Sequence, residues 1–439
     1  MGVESHRIFA QSALSSGNKG ILKRFSKMEY FFKVKKPDEV FEIIDQFGPS
    51  GEETTTLEDA LGRVVSRNVI SPEDLPGFLR STVDGYAVRA KDTFGAAESL
   101  PALFEISGEA LMGESPGIEV GPGQAAKIST GGMLPQGADG VVMVEYCDLL
   151  DKESLEVGRA VSPLENVIQP GDDFRKGACV LKMGHKLRAQ ELGVLAGLGI
   201  SEDSVFRRPK VGIISTGDEI VPIDTAPLPG KVRDINSYSL GACCRRMGAE
   251  TEHLGLCPDD FDSLRNMVAS GLGRADTIWI SGGSSVGTRD LTLKVFETLP
   301  DFELLVHGIS ISPGKPTIIG RAGSQAVIGL PGHVASALVV AEIFLTRLIE
   351  RLSGLKDFSR VFRGSVEAEL SRNIESASGR EDYIRVKLVK KEETLIAEPV
   401  FGKSGLISTL VEADGLIRID VNTEGLYQGQ RVQVLLLAS

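Results

Sequence analysis

The segment Ile280-Ser-Gly-Gly-Ser-Ser-Val-Gly-Thr-Arg-Asp290 gathers glycine and hydroxyl residues directly after a short apolar run, Thr277-Ile-Trp-Ile-Ser281. Glycines at Gly282 and Gly283 let backbone N–H groups come close to a phosphate. Ser281, Ser284 and Ser285 add hydroxyl donors, and a helix beginning there would present its positive end. An ordinary strand-to-helix turn has a similar composition, because short glycine motifs recur by chance. Asp290 bears on the choice: a carboxylate inside an anion-binding loop repels the anion unless a cation such as Mg²⁺ bridges them. Three more acidic sites fall at predicted element ends nearby: Asp218-Glu219 after Ser215-Thr216-Gly217, Asp234 with Asn236, and Asp259-Asp260. Singly, each suits a cap or a turn. Jointly they suit a metal-phosphate site, and hard oxygen ligands favour Mg²⁺ over zinc or copper.

Ser310-Ile-Ser-Pro-Gly-Lys-Pro316 confines Lys315 between Gly314 and Pro316, so a surface lysine competes with a positioned point charge for an oxyanion. Gly329-Leu-Pro-Gly332 forms a second Gly-Pro loop, which includes Pro331. His307 and His333 lack an H-E-x-x-H type partner and read as structural histidines. The five cysteines, Cys147, Cys179, Cys243, Cys244 and Cys257, contain no C-x-x-C pair, which argues against a zinc knuckle or a disulfide framework.

These groups need elements to hold them. Val211 to Ser215 and Thr277 to Ser281 are continuous apolar runs suited to strands covered on both faces, and Leu264, Met267, Val268 and Leu272 mark a helix face between them. The alternation predicts a doubly wound, parallel α/β domain over 207–356 with ligands at its strand ends. Val40, Ile43 and Ile44, then Leu57, Ala60 and Leu61, predict two helices. Glycine- and proline-broken runs over 72–165 predict a β-rich domain. Residues 166–206 end in a helix closing near Gly199, and 357–439 read as a small all-β domain. Residues 1–27 read as a disordered leader, or as sequence ahead of a start at Met28; they have no apolar core of a secretory signal. The net charge of −12 disfavours nucleic acid and anionic membrane as partners. Charged residues interrupt the most apolar stretch, 335–352, so no membrane span is expected and a reducing cytoplasm is the expected location.

An ordered series of motifs resembles one family. Pro76-Gly-Phe-Leu-Arg-Ser-Thr-Val-Asp-Gly-Tyr-Ala-Val88, Ile128-Ser-Thr-Gly-Gly-Met-Leu-Pro-Gln-Gly-Ala-Asp-Gly-Val-Val142 and Asn166-Val-Ile-Gln-Pro-Gly-Asp-Asp173 come first. Ser215-Thr-Gly-Asp-Glu219, the Ser281 loop, Pro313-Gly-Lys-Pro316 and Gly329-Leu-Pro-Gly332 follow. Arg380-Glu-Asp-Tyr-Ile-Arg385 and Lys403-Ser-Gly405 close the series. Over residues 28–439 the chain resembles the molybdopterin molybdotransferases of the MoeA and gephyrin E domain type.

The resemblance implies a multidomain α/β protein. Its parts are an elongated helical domain I (28–71 and 166–206), a β-rich domain II (72–165), a molybdopterin-binding domain III (207–356) and a C-terminal β-barrel-like domain IV (357–439). It also implies a homodimer with shared active sites. Asp84, Thr130, Asp173, Glu219, Asp259, Asp290 and Lys315 are the catalytic positions so implied, with Glu219, Asp259 and Asp290 toward Mg²⁺. Ser281, Gly282, Gly283, Ser284, Ser285, Asp234, Asn236, Pro331, Arg385, Lys403 and Ser404 are implied to bind the substrate. The implied reaction inserts molybdate into adenylylated molybdopterin with Mg²⁺-dependent release of AMP. A molybdopterin adenylyltransferase and recipient molybdoenzymes are the implied partners. Tungstate insertion, a CinA-like nucleotide pyrophosphatase and a gephyrin-like scaffold are the alternatives. Three departures stand out: Gly171-Asp172-Asp173 where the family often has Gly-Glu-Asp, Val334 where it often has proline, and Ser312 where it often has a basic residue.

Overall fold

The computed structural model describes residues 34–282, 286–356 and 364–437, apart from the side chains of 286–290. Gly283, Ser284 and Ser285 therefore lie outside the described residues, as does the side chain of Asp290.

The first helix, α1 (Pro37–Ile44), has Pro37 in its first turn and Glu39 bonded back to the Lys36 N–H at 2.8 Å, which satisfies a donor that helix ends leave unpaired. The second helix expected around 57–61 does not form. Glu52–Thr56 is strand β1, and the chain then makes successive tight turns, Ala60 N–H to Leu57 O and Arg63 N–H to Ala60 O, before Gly62 takes φ +76°. Leu57 and Ala60 still pack into a small core, but Leu61 is exposed, so the three-residue spacing serves a turn.

Domain II follows as a sheet of β2 (Gly85–Val88), β3 (Ala102–Ala110), β4 (Gln124–Ile128), β5 (Gly140–Met143), β6 (Cys147–Leu149) and β7 (Ser154–Val157), in spatial order β5-β2-β4-β3-β7-β6. Strand β2 lies between two antiparallel neighbours. Gly85 is required at its start because a Cβ there would lie 1.9 Å from the Val142 carbonyl oxygen. The chain then returns to the first core through α2 (Ala189–Gly197) and β8 (Glu202–Phe206), which pairs antiparallel with β1. Gly199, at φ +70°, lets the chain leave the helix as the sequence suggested.

The α/β domain contains β9 (Lys210–Thr216), α3 (Asn236–Arg246), β10 (Glu250–Cys257), α4 (Phe261–Leu272), β11 (Thr277–Gly282), α5 (Val286–Phe296), β12 (Phe302–His307), β13 (Ile318–Ala322) and β14 (Gln325–Leu330). Strand order is β10-β9-β11-β14-β13-β12; the first four are mutually parallel, β13 runs antiparallel to β14, and β12 runs antiparallel to β13. A long helical stretch, α6 (Val334–Val340), a π-helical turn and α7 (Thr346–Leu352), closes one face. Trp279, Ile213 and Phe344 fill that face, and α1 adds Val40 and Ile44 to the same core. The helix assigned by sequence to domain I is thus packed on the α/β sheet, where Arg347 also grips Asp45 at 2.5–2.7 Å.

Five strands form the barrel of the last domain: β15 (Ser365–Leu370), β16 (Glu381–Lys391), β17 (Thr394–Pro399), β18 (Gly415–Ile419) and β19 (Arg431–Leu436). The order β16-β17-β15-β19-β18 closes back on β16 and makes a barrel without free edges. Among the described residues no helix is long and apolar enough to cross a membrane.

Glu191 offers a check on the packing of the first core. Its carboxylate receives Arg188 Nη2 at 2.6 Å, His185 Nε2 at 3.0 Å and the Arg188 N–H at 2.9 Å. The Arg188 guanidinium, against the opposing effect of burial, holds the carboxyl down to about 2 from 4.5. A depressed folded value stabilises the protein fully above the unfolded one, with a ceiling of about 3 kcal/mol. Arg188 is exposed, and solvent screening lowers that figure. The thermal-midpoint advantage of the wild type over Glu191→Gln is expected to be constant above pH 5 and to narrow toward pH 2.5. An advantage independent of pH would show that the ion pair contributes nothing.

Candidate functional site

The crossover from β9 through α3 runs outward to β10, and the next, through α4, jumps back over β9 to β11. The connections therefore part between β9 and β11, which opens a crevice at their carboxyl ends. Thr216 and Gly282 stand opposite each other there. A Cβ at Gly282 would lie 2.1 Å from the Thr216 carbonyl oxygen, so glycine is needed for the two strand ends to meet.

Polar side chains line this junction in a connected order. Ser215 Oγ donates to Asp234 Oδ1 at 2.9 Å and lies 2.8 Å from Ser237 Oγ, while the Ser237 N–H donates to the same carboxylate at 3.1 Å. Asp234, just ahead of the Ile235 N-cap, is thereby occupied with a first-turn N–H of α3, a local role its residue type allowed. Asn236 Nδ2 donates to Ser281 Oγ at 2.6 Å and to the Gly332 carbonyl at 2.8 Å, tying the β11 end to the loop after β14. On the other side Thr216 Oγ1 donates to Asp259 Oδ1 at 2.9 Å, and the Asp259 N–H donates to Asp218 Oδ1 at 3.2 Å. Asp260 caps α4 through the Ser263 N–H at 2.8 Å.

Among the described residues no three carboxylate, histidine or cysteine side chains converge on one point as a complete metal site. Glu219 is exposed and Asp259 half-buried, both near the carboxyl ends of adjacent strands. This oxygen-only pair fits Mg²⁺, which is usually held by one or two carboxylates with substrate phosphates and water supplying the rest.

A second site borders the first. Ile311–Ser312 pairs parallel with Glu381 and Asp382 of β16, which brings the Pro313 to Pro316 turn against the barrel. Gly314, at φ +117°, allows the turn, and a Cβ there would come within 2.6 Å of Val340. The result is a cleft of about 490 Å³ lined by Ser312, Lys315, Pro331, His333, Arg385 and Ser404, among others. Arg385, half-buried on β16, donates to Thr409 Oγ1 at 2.6 Å and to the Gly402 carbonyl at 2.9 Å. Burial lowers its pKa from the usual guanidinium value, although an arginine stays charged throughout the working range. Lys403 is exposed and does not line the cleft.

Asp84, Thr130 and Asp173 lie elsewhere. Asp84 accepts from the Thr130 N–H at 2.7 Å and the Thr130 hydroxyl at 3.0 Å. Asp173 is exposed, with its N–H on the Leu75 carbonyl at 3.0 Å. None of the three lines the 490 Å³ cleft of the same chain. Sequence reasoning missed Ser215, Ser237 and Thr216 as the hydroxyls that hold the crevice acids; their place at the end of an apolar strand was the available signal. It also read His333 as structural, whereas His333 lines the cleft.

Family models match the chain in three consecutive stretches: the MoeA N-terminal region (domain I and II) over 35–199, a probable molybdopterin binding domain over 212–351, and the MoeA C-terminal region (domain IV) over 367–437. The chain belongs to the molybdopterin molybdotransferase (MoeA) family. Members of this family are enzymes of molybdenum-cofactor biosynthesis. A putative molybdopterin biosynthesis protein of Methanocaldococcus jannaschii is 35% identical over 409 residues, 91% of this chain and 96% of that one. The molybdopterin molybdenumtransferase of Haemophilus influenzae is 32% identical over 389 residues, covering 88% and 94%. A solved molybdopterin biosynthesis MoeA protein of Pyrococcus horikoshii has a TM-score of 0.76 at 36% identity, over 93% of this chain and all of that one. The likeness of this MoeA-family chain thus includes domains II and IV, which the α/β domain alone would not require.

The paired donors of Thr130 hold the Asp84 carboxyl below the usual carboxylate range, the backbone N–H contributing most. The interaction favours the folded state above the unfolded pKa and is lost as pH falls through the folded one. In Thr130→Val, which keeps the N–H and loses the hydroxyl, the Asp84 midpoint in a carboxyl-carbon NMR titration is expected to rise part of the way back. An unmoved midpoint would eliminate the hydroxyl as a donor.

Proposed function

We propose that this protein inserts molybdate into adenylylated molybdopterin with release of AMP. The observation that supports this most directly is the meeting, at Gly332 and His333, of a phosphate-type strand-end crevice with a cleft carrying Lys315 and Arg385. The pterin's phosphates would lie against Ser281 and Gly282 and the loop through Gly283, Ser284 and Ser285. Pro331 and Asn236 would shape the wall beside them. Glu219, Asp259 and Asp290 would hold Mg²⁺, which when bound neutralises phosphate charge and polarises the phosphoanhydride. Lys315, Arg385, Ser404 and the nearby Lys403 would orient the molybdate oxygens beside the dithiolene. Hydrolysis then separates AMP from the metal-loaded pterin.

The reading places Asp84, Thr130 and Asp173 at the crevice of a partner copy, because within one chain they do not line the cleft. A molybdopterin adenylyltransferase would supply the substrate, and molybdoenzymes would receive the product.

Purified protein incubated with adenylylated molybdopterin, Mg²⁺ and molybdate is expected to yield AMP and metal-loaded pterin together. Release of AMP without metal loading, regardless of molybdate, would instead identify a pyrophosphatase. Mixed dimers of Asp84→Asn and Asp259→Asn subunits should regain about one working site per dimer; verified heterodimers without activity would refute shared sites.

Arg385→Ala removes a charge-assisted contact worth on the order of 1.5–3 kcal/mol, so molybdate use should weaken roughly tenfold to a hundredfold while pterin binding persists. Lost pterin binding with an unchanged molybdate requirement would move the oxyanion away from the barrel.

A further inference from the structure

A single short piece of backbone separates the crevice from the cleft, and both its ends are held. The Gly332 carbonyl accepts from Asn236 Nδ2 at 2.8 Å. A carbonyl has no hydrogen to give, so this contact fixes which way the amide faces. At the next residue, His333 Nδ1 lies 2.7 Å from Ser404 Oγ. The Ser404 carbonyl in turn accepts from the Ala335 N–H at 3.1 Å, satisfying a first-turn donor of α6 that the helix cannot. Ser404 is thus fastened to the helix start by its carbonyl and addressed by an imidazole at its hydroxyl.

Three features single out this contact. His333 is exposed, so the fold does not need it as core filling. Its ring and the serine line the same cleft as Lys315 and Arg385. Ser312 lines that cleft too and brings no charge, which leaves more of the attraction for an oxyanion to correctly aimed hydroxyl and N–H donors.

We infer that His333 is a positioning residue for the oxyanion substrate, acting through Ser404; the inference rests on the reading of the cleft given under Proposed function. A serine hydroxyl left alone has three staggered rotamers and a freely turning hydrogen. A hydrogen bond from Nδ1–H to Oγ holds the oxygen and leaves the serine hydrogen available for a substrate oxygen. The chain is then imidazole N–H to Oγ, and O–H to oxyanion, an arrangement in which each bond strengthens the next. An anion in the cleft selects this proton arrangement over the reverse one, in which Ser404 spends its hydrogen on Nδ1 and offers the anion only lone pairs. Aiming the donor before the substrate arrives lowers the ordering cost of binding.

Side-chain geometry supplies the test, because asparagine carries a donor near the place of Nδ1 and glutamine near the place of Nε2. His333→Asn is expected to keep the wild-type half-saturating molybdate concentration. His333→Ala and His333→Gln should each raise it about five- to tenfold, the scale of one hydrogen bond, with pterin affinity and thermal midpoint unchanged. Ser404→Ala should show the same rise, and the double variant with His333→Ala no more than either single one. Three results would overturn the inference: an unchanged requirement in His333→Ala, effects of His333→Ala and Ser404→Ala that multiply, or rescue by glutamine and not asparagine, which would mean direct contact through Nε2. A wild-type protein without molybdate-dependent AMP release would count against the proposed function itself, and the two failures are read from different samples.

Discussion

The approach of two strand ends governs what the α/β domain can bind. Thr216 and Gly282 face each other across β9 and β11 at a separation that admits no side chain at the second position. With the strands this close, the crevice is walled by hydroxyls and a carboxamide instead of by aliphatic side chains. Each buried polar group there then needs a partner, since an unsatisfied one costs about 1–3 kcal/mol. Ser215 with Asp234, Thr216 with Asp259 and Asn236 Nδ2 with Ser281 provide most of those partners, and Asn236 Oδ1 alone of these groups is buried without one among the described residues. The same bonds that hold the strand ends together therefore hold the site's side chains in place.

The barrel's position depends on a smaller contact that a large core reinforces. Two residues, Ile311 and Ser312, extend along β16, while Tyr383 and Leu416 of the barrel join Trp279 and Phe344 in one continuous apolar cluster. A polar cleft alone would be a weak hinge. Sharing a core makes the barrel wall that carries Arg385 a fixed side of the cleft. Ser404 is latched in addition by the start of α6, so the cleft's two walls are joined at its floor and at its rim.

Much of this was legible in the residues. Continuous apolar runs marked β9 and β11 because a strand covered on both faces has no polar alternation, and Asp260 marked the start of α4. Leu57, Ala60 and Leu61 misled because i, i+3 spacing also fits consecutive turns, and the pairing of β1 with β8, about 150 residues away, is a long-range contact that a local pattern does not contain. The site divided in the same way. Glycine and acidic positions at strand ends were readable, as was Lys315. The local role of Asp234 at the start of α3 was one of the two the sequence left open, but the contact of His333 with Ser404 was not readable, since its partners are 71 residues apart and belong to different domains.

Charge is the last constraint. A chain of net charge −12 repels a dianion at long range. Screening limits that repulsion to roughly a Debye length of 8–10 Å at ordinary salt, so what decides binding is the inventory within the cleft. Lys315 is exposed and hydrated, while Arg385 is half-buried with part of its donor set already fixed by Thr409 and Gly402. A guanidinium held in this way loses little freedom when an oxyanion arrives, whereas a flexible lysine must be ordered. Under the proposed function the arginine would therefore be the stronger determinant of where a tetrahedral oxyanion sits, and the lysine would contribute mainly to its attraction. Under the same proposed function, that division would put the oxyanion toward the barrel wall, on the side where Ser404 and His333 meet.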